Sequence, residues 1–180
     1  MQEWDEVLYP SFRSTIRGSY YGVVSQDLID EECFYLALRA ISAFKFPKIS
    51  TAYEIYYAIR KDNGELLYTD IDNNPIQADT EGAIPHGRFL NNLSYAELEI
   101  IIAWMKVYWC ENQISNADNF DDMYTDVNIK TFSRANAVDK NMKLMAEYRK
   151  YARDLENRYS RVTDQQKPSL GDVNGWWAAT

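Results

Sequence analysis

The chain has 180 residues, 46% of them hydrophobic and 14% aromatic, with 14 Tyr and 5 Trp, which is length enough to bury the core of one domain. A formal net charge of −8 and a pI near 4.7 exclude a broad grip on nucleic-acid backbone, because such a grip needs Lys and Arg to neutralise phosphates. The single His86 and two cysteines, Cys33 and Cys110, are too few for a Cys/His zinc set.

The charge is uneven along the chain. Residues 1–136 carry 11 Lys+Arg against 21 Asp+Glu, a net of −10, whereas residues 137–163 carry seven against four, a net of +3. The basic stretch reads as a solvated helix face, with pairing to an acidic body of a like copy as the alternative. The excess of Tyr and Trp suits a protein-binding surface or an aromatic core equally. Each cysteine lies in an apolar helical pattern, as a small buried hydrophobe in a reducing compartment does. MQEWDEVLYP lacks a basic n-region and an apolar h-region, so no signal peptide is expected and synthesis in a cytoplasm follows.

In chain order, Trp4, Val7, Leu8, Phe12 and Ile16 fall at helical intervals around Pro10, predicting two short helical pieces broken near the proline. Residues 18–24 read as a link. Ser25 is a good N-cap, and Asp27, Asp30, Glu31 and Glu32 suit the positive end of the helix that follows. Leu28, Ile29, Cys33, Leu36, Ala37, Ala40, Ile41 and Phe44 give that helix one core face, and Pro47 is expected to end it. From Lys48 the period shortens. A strand, the turn Asp62-Asn63-Gly64 and the return run ELLYTDI predict a β-hairpin at about 52–71. An isolated ribbon is marginal in water, so it should lean on the domain or on a neighbouring chain. Asn63 and Gly64, at its tip, are candidate partner-binding residues. Residues 72–92 hold Pro75, Gly82, Pro85 and Gly87 without periodicity and read as a long loop of the kind used for binding. His86, in IPHGRF, reads as an ordinary polar loop residue and not as a general base.

The run LSYAELEIIIAWMKVYWCENQI, Leu93 to Ile114, is the centre of the chain. Ser94 and Glu97 form a capping box. From Leu98 to Cys110 only Glu99 and Lys106 interrupt the apolar residues, so the helix has no wide polar face and must be wrapped on most sides. It is too short for a membrane span, which needs roughly 20 apolar residues. Residues 115–132 are polar; Asp118, Asp121, Asp122 and Asp126 lack EF-hand spacing and read as capping and turn residues, not as a calcium site. Ala135 to Val162 predicts the longest helix, roughly 40 Å, with a near-heptad seam of Val138, Met142, Met145, Tyr148, Ala152, Leu155, Tyr159 and Val162 packing inside the domain. Residues 164–180 form a polar arm ending near Trp176-Trp177. Two adjacent indoles on such an arm make a sticky patch. They either fold back or, the favoured reading, anchor in a pocket on another molecule, which makes Trp176 and Trp177 candidate partner-binding residues.

There is no GxSxG, Walker loop, GxGxxG or HExxH, so neither an enzyme nor a cofactor or metal site is predicted. The expected fold is mainly α: a small helical bundle around a buried central helix (residues 1–163), with an inserted β-hairpin and an extended C-terminal arm.

The runs YAELEIIIAWMKVYWCENQISNADNF and FSRANAVDKNMKLMAEYRKYARDLENRYSR, together with this order of elements over residues 25–163, give the chain a likeness. It resembles the head–tail connector (adaptor or ring) proteins of tailed bacteriophages, in flavour those of crAss-like podoviruses. The resemblance implies a structural virion protein, made in the bacterial host cytoplasm and placed in the neck. It further implies a homo-oligomeric ring, commonly of twelve copies, bound to the portal protein and to an adjacent tail or ring protein. DNA would pass through its channel without specific binding, and an acidic body suits that role. The alternative is a cytosolic helical adaptor or regulator that binds one protein partner.

Overall fold

The computed structural model describes residues 1–16, 25–61, 63–70, 72–121 and 130–166, with the backbone alone described at 116–121, 130–137 and 162–166. A two-residue strand, β1 (Gln2–Glu3), leads into α1 (Trp4–Val7) and α2 (Tyr9–Thr15). The break between the helices falls at Leu8. Pro10 therefore sits in the first turn of α2, where its missing N–H deprives no carbonyl of a partner. Trp4, Leu8, Tyr9 and Phe12 are fully buried. The N-terminal segment is thus core, more than its helical fragments alone predict.

Helix α3 (Gln26–Ala43) starts as expected, with the Ser25 side chain accepting from the Leu28 N–H at 3.5 Å. Cys33, Leu36, Ala37 and Ala40 lie on its buried face. The helix stops ahead of Pro47, at Phe44, whose N–H still donates to Ala40. Burial pushes the Cys33 thiol up to about 12, which keeps it protonated and inert.

The strands are β2 (Tyr53–Arg60), β3 (Leu66–Leu67) and β4 (Ala83–Phe89). They join β1 in an antiparallel sheet of order β1-β4-β2-β3. This corrects the sequence reading twice. The return strand of the hairpin at 52–71 is only two residues long and pairs Ile59 with Leu67 and Arg60 with Leu66. The main partner of β2 instead comes from residues 72–92, expected to be a loop: Ala83–Phe89 runs beside Tyr53–Ile59 in unbroken register. Pro85 and Gly87 disguise that strand. The Leu90 N–H donates to the Ala52 carbonyl at 2.9 Å, so Ala52, Glu54, Tyr56 and Ala58 form the hydrogen-bonded pairs with β4. Tyr57 and Pro85 then meet in a non-hydrogen-bonded pair, where an N–H on Pro85 would point away from β2. On that far side β1 reaches only Arg88 and Phe89. A proline costs the ladder nothing at this place.

Helix α4 (Tyr95–Asp121) has the predicted capping box: Glu97 N–H donates to Ser94 Oγ at 3.4 Å, and Ser94 N–H donates to Glu97 Oε2 at 2.9 Å. Ile100, Ile101, Met105, Val107 and Cys110 are buried. The helix continues past Ile114, so Asp118 and Asp121 lie on it and not in a polar loop; Asp122 and Asp126 fall outside the described residues. Helix α5 (Lys130–Gln166) exceeds the expected 135–162 at both ends and takes in residues 164–166, predicted to be arm. α4 packs against both α3 and α5, and the chain is mainly helical. The seam of α5 packs inward through Met145, Tyr148, Ala152, Leu155 and Tyr159.

Candidate interaction surface

Three features meet at the sheet: the hairpin tip, the outer edge of β2, and a cavity beside them. The tip is fixed at its root. Arg60 donates through Nε to Asp27 at 2.5 Å, through Nη2 to the buried Asp30 at 2.7 Å, and through Nη1 to the Gly64 carbonyl at 3.2 Å. Arg13, 3.8 Å from Asp30, adds a second cation. The ribbon is thereby clamped to the start of α3, which accounts for a two-residue β3 holding its place.

At the tip, Gly64 N–H donates to the Lys61 carbonyl at 2.8 Å and Glu65 N–H to Asn63 Oδ1 at 3.0 Å. Gly64 has φ +86°, which a side chain tolerates poorly. Nothing lies within 4 Å of the position a Cβ would take. Asn63 and Gly64 are both exposed. Trp176 and Trp177 lie outside the described residues, and so does the rest of the arm from residue 167.

Beside the ribbon is a cavity of about 690 Å3. Tyr56, Tyr68, Pro75 and Ile76 form its apolar walls, and Glu3, Asp5, Glu6 and Glu54 stand around it with Arg88. The register explains part of this grouping: Glu3, Arg88 and Glu54 lie side by side across β1, β4 and β2. Arg88 donates to Glu54 through Nε at 2.9 Å and Nη2 at 2.7 Å. Tyr56 donates its hydroxyl to Glu3 at 2.5 Å, and its ring meets that of Tyr68 edge-on at 5.6 Å. Burial, then the Glu3 hydrogen bond, raise the Tyr56 pKa, so the phenol stays a donor. The sequence marks none of these residues as a site by itself, although Pro75, Ile76 and Arg88 lie in the 72–92 run that reads as a binding loop. The cavity residues come from four separate stretches, and a further local trace is the tyrosine density of YEIYY.

His86 is a correction of another kind. It sits on β4, not in a loop, is 2% exposed, and stacks on Tyr56 with ring centroids 5.6 Å apart. Its Nε2 has no hydrogen-bond partner. Burial lowers its pKa, against the opposing pull of Asp5 and Asp30. The folded state thus binds fewer protons at this site than the unfolded chain, whose histidine titrates near about 6.5. Stability should therefore fall as the pH drops below that value and through the folded pKa. His86→Phe keeps a ring against Tyr56 and removes the titration. Urea midpoints measured from pH 7.5 to 5 should decline in the parent and flatten in the variant.

Among the described residues no group of His, Cys, Asp and Glu is placed to hold a metal ion, and no helix is long and apolar enough to cross a membrane. Comparison with family models, with curated proteins and with solved structures gave no match to this chain.

Proposed function

We propose that the chain is a structural virion protein, a head–tail connector that forms an oligomeric ring between portal and tail and lines the channel through which DNA passes. The observation that carries this reading is an exposed apolar residue on the inward-packing seam of α5. Its seam is covered through Tyr148, Ala152 and Leu155, yet Met142 of the same seam is 51% exposed. An apolar seam residue left exposed suits a second copy placed alongside. α3, α4 and α5 are the bundle of this reading, the Asn63-Gly64 tip a projection toward the next protein, and Trp176-Trp177 the anchor on a neighbour. The acidic body, with its net of −10 over residues 1–136, disfavours adhesion to passing phosphates. The placement in a virion rests on the resemblance of the two long runs to phage connectors.

The test is assembly. Light scattering and negative-stain imaging of the purified chain, alone and mixed with a portal protein, should give rings seated on the portal. A chain that stays monomeric with portal at every salt concentration tried removes this reading in favour of the adaptor. Deleting residues 168–180 should abolish assembly and leave helical circular dichroism intact. Loss of the helical signal would instead place the two tryptophans in the core.

A further inference from the structure

The outer edge of β2 lacks a neighbouring strand along most of its length. Ile59 pairs with Leu67 and Lys61 N–H donates to Glu65, so on this side of β2 it is the odd-numbered residues whose backbone groups face outward. β3 ends at Leu67, and the chain then turns on itself: Thr69 bridges to Pro75 and Ile76 N–H donates to Tyr68. Among the described residues, no strand lies beside Tyr53, Ile55 and Tyr57 on that side. Their N–H and C=O groups point into the gap, since it is Glu54, Tyr56 and Ala58 that bond to β4.

An open edge of this kind is a template for pairing, and proteins usually guard one with lysine, proline or a bulge. None of these stands between Tyr53 and Tyr57; Ile55 is 44% exposed and Tyr53 38%. The 690 Å3 cavity borders the same edge, lined by Ile55 and Tyr57 of β2 and by Tyr68, Thr69, Pro75 and Ile76 of the turn that follows β3. Its size is that of a ligand site, which runs from about 300 to 1,000 Å3. Its charge is one-sided. Four carboxylates face one guanidinium, and that guanidinium is already paired with Glu54. Asp5 and Glu6 have no cationic partner among the described residues.

We infer that the outer edge of β2 at Tyr53–Tyr57 docks an extended segment of a partner protein with lysine or arginine at alternating positions. The segment adds to the sheet as a further strand. Its backbone bonds to the odd-numbered residues of β2, and its cationic side chains reach Asp5, Glu6 and Glu3 across the tyrosine walls. Main-chain bonds supply affinity here and alternate side chains supply selection, while Tyr68, 48% exposed, offers ring surface to a cation. This site goes beyond the connector reading and stands whether or not the chain forms rings.

The probe is an acetylated, amidated heptapeptide alternating lysine and valine, added to the full chain at low salt. Binding is measured by calorimetry, and amide exchange is followed by NMR. Saturable binding is expected, with exchange at Ile55 and Tyr57 slowed at least tenfold. The same peptide with alternate backbone nitrogens methylated, and its glutamate–valine counterpart, should each bind at least tenfold more weakly. Ile55→Pro removes one outward N–H without touching the bonds to β4, and should also cost at least tenfold in affinity at an unchanged melting temperature. Should that variant fail to fold, the methylated peptide still isolates the strand pairing. Equal binding of methylated and unmethylated peptides, protection elsewhere than at Ile55 and Tyr57, or no binding at millimolar peptide overturns the inference.

Discussion

Replacing Glu97 by glutamine should destabilise the fold by about 3–5 kcal/mol, although the two side chains are nearly the same size. The capping box is only part of what this carboxylate does. Oε2 accepts from Ser94 N–H at 2.9 Å and Ser94 Oγ at 2.8 Å. Oε1 accepts from Ile49 N–H at 3.0 Å, Lys48 N–H at 3.2 Å and the Tyr159 hydroxyl at 2.5 Å. The residue is fully buried. One carboxylate thereby ties the start of α4 to the strand-ward turn after α3 and to α5. Every group around it is a donor. An amide in its place would turn an NH2 toward two or three of them and leave buried N–H groups unsatisfied, each at a cost of about 1–3 kcal/mol. For a chain of this length, such a loss lowers the melting temperature by about 6–20 °C.

The same geometry sets a pH dependence separate from that of His86. Burial alone would raise the Glu97 pKa, but the hydrogen bonds from Tyr159, Ile49 and Ser94 outweigh it and hold the carboxyl below its ordinary value. The contribution is therefore complete above the unfolded pKa of about 4.3 and is lost as the pH falls through the folded value. Urea midpoints of the parent should drop steeply below pH 4.5, and Glu97→Gln should remove most of that drop. Tyr159→Phe, which deletes one donor, should cost about 1–1.5 kcal/mol and couple to Glu97→Gln in a double-mutant cycle. A glutamine variant within 1 kcal/mol of the parent would show that water replaces these bonds.

The helices were legible because their information is local. Apolar residues at three- and four-residue spacing mark α3 and α5; Ser25, Ser94 and Glu97 cap within one turn. What escaped was whatever depends on distant residues. The sequence shows that Glu97 can cap α4 and cannot show that Ile49 and Tyr159 reach the same carboxylate. β4 was hidden by two residues that ordinarily punctuate strands. Pro85 is tolerated because of the register with Tyr57, and Gly87 is required because the Trp4 indole lies against it; neither fact is visible until the pairing is known. His86 reads as a loop residue for the same reason, since the strand that buries it carries the Pro and Gly of a loop. At the interaction surface the Asn63-Gly64 turn could be found from the sequence. The open edge of β2 could not, because it arises from β3 stopping at Leu67.

Gly87→Ala should be the second strongly destabilising substitution, at about 3 kcal/mol. A Cβ at Gly87 would lie 2.4 Å from Cε3 and 2.6 Å from Cδ2 and Cζ3 of the Trp4 ring. Real Cβ atoms do not approach so closely, so the indole or the strand must move. Trp4 has nowhere to go: it is fully buried, with ring centroids 5.3 Å from Tyr53, 5.5 Å from Phe89 and 5.7 Å from Phe34. Moving the strand instead would strain the pairing of Ile55 with Gly87 and of Glu3 with Arg88. The glycine is thus the seat on which the N-terminal tryptophan closes the core, which also explains why α1 can be a single turn. Trp4→Leu alone should cost about 3 kcal/mol through lost packing. Because the smaller side chain vacates the space that the alanine methyl needs, the two changes should not add. Chemical denaturation of the double variant should show a loss at least 1 kcal/mol smaller than the sum of the single losses. Strict additivity would mean that Trp4 and Gly87 do not touch, and that the N-terminal segment is held to β4 by some other contact.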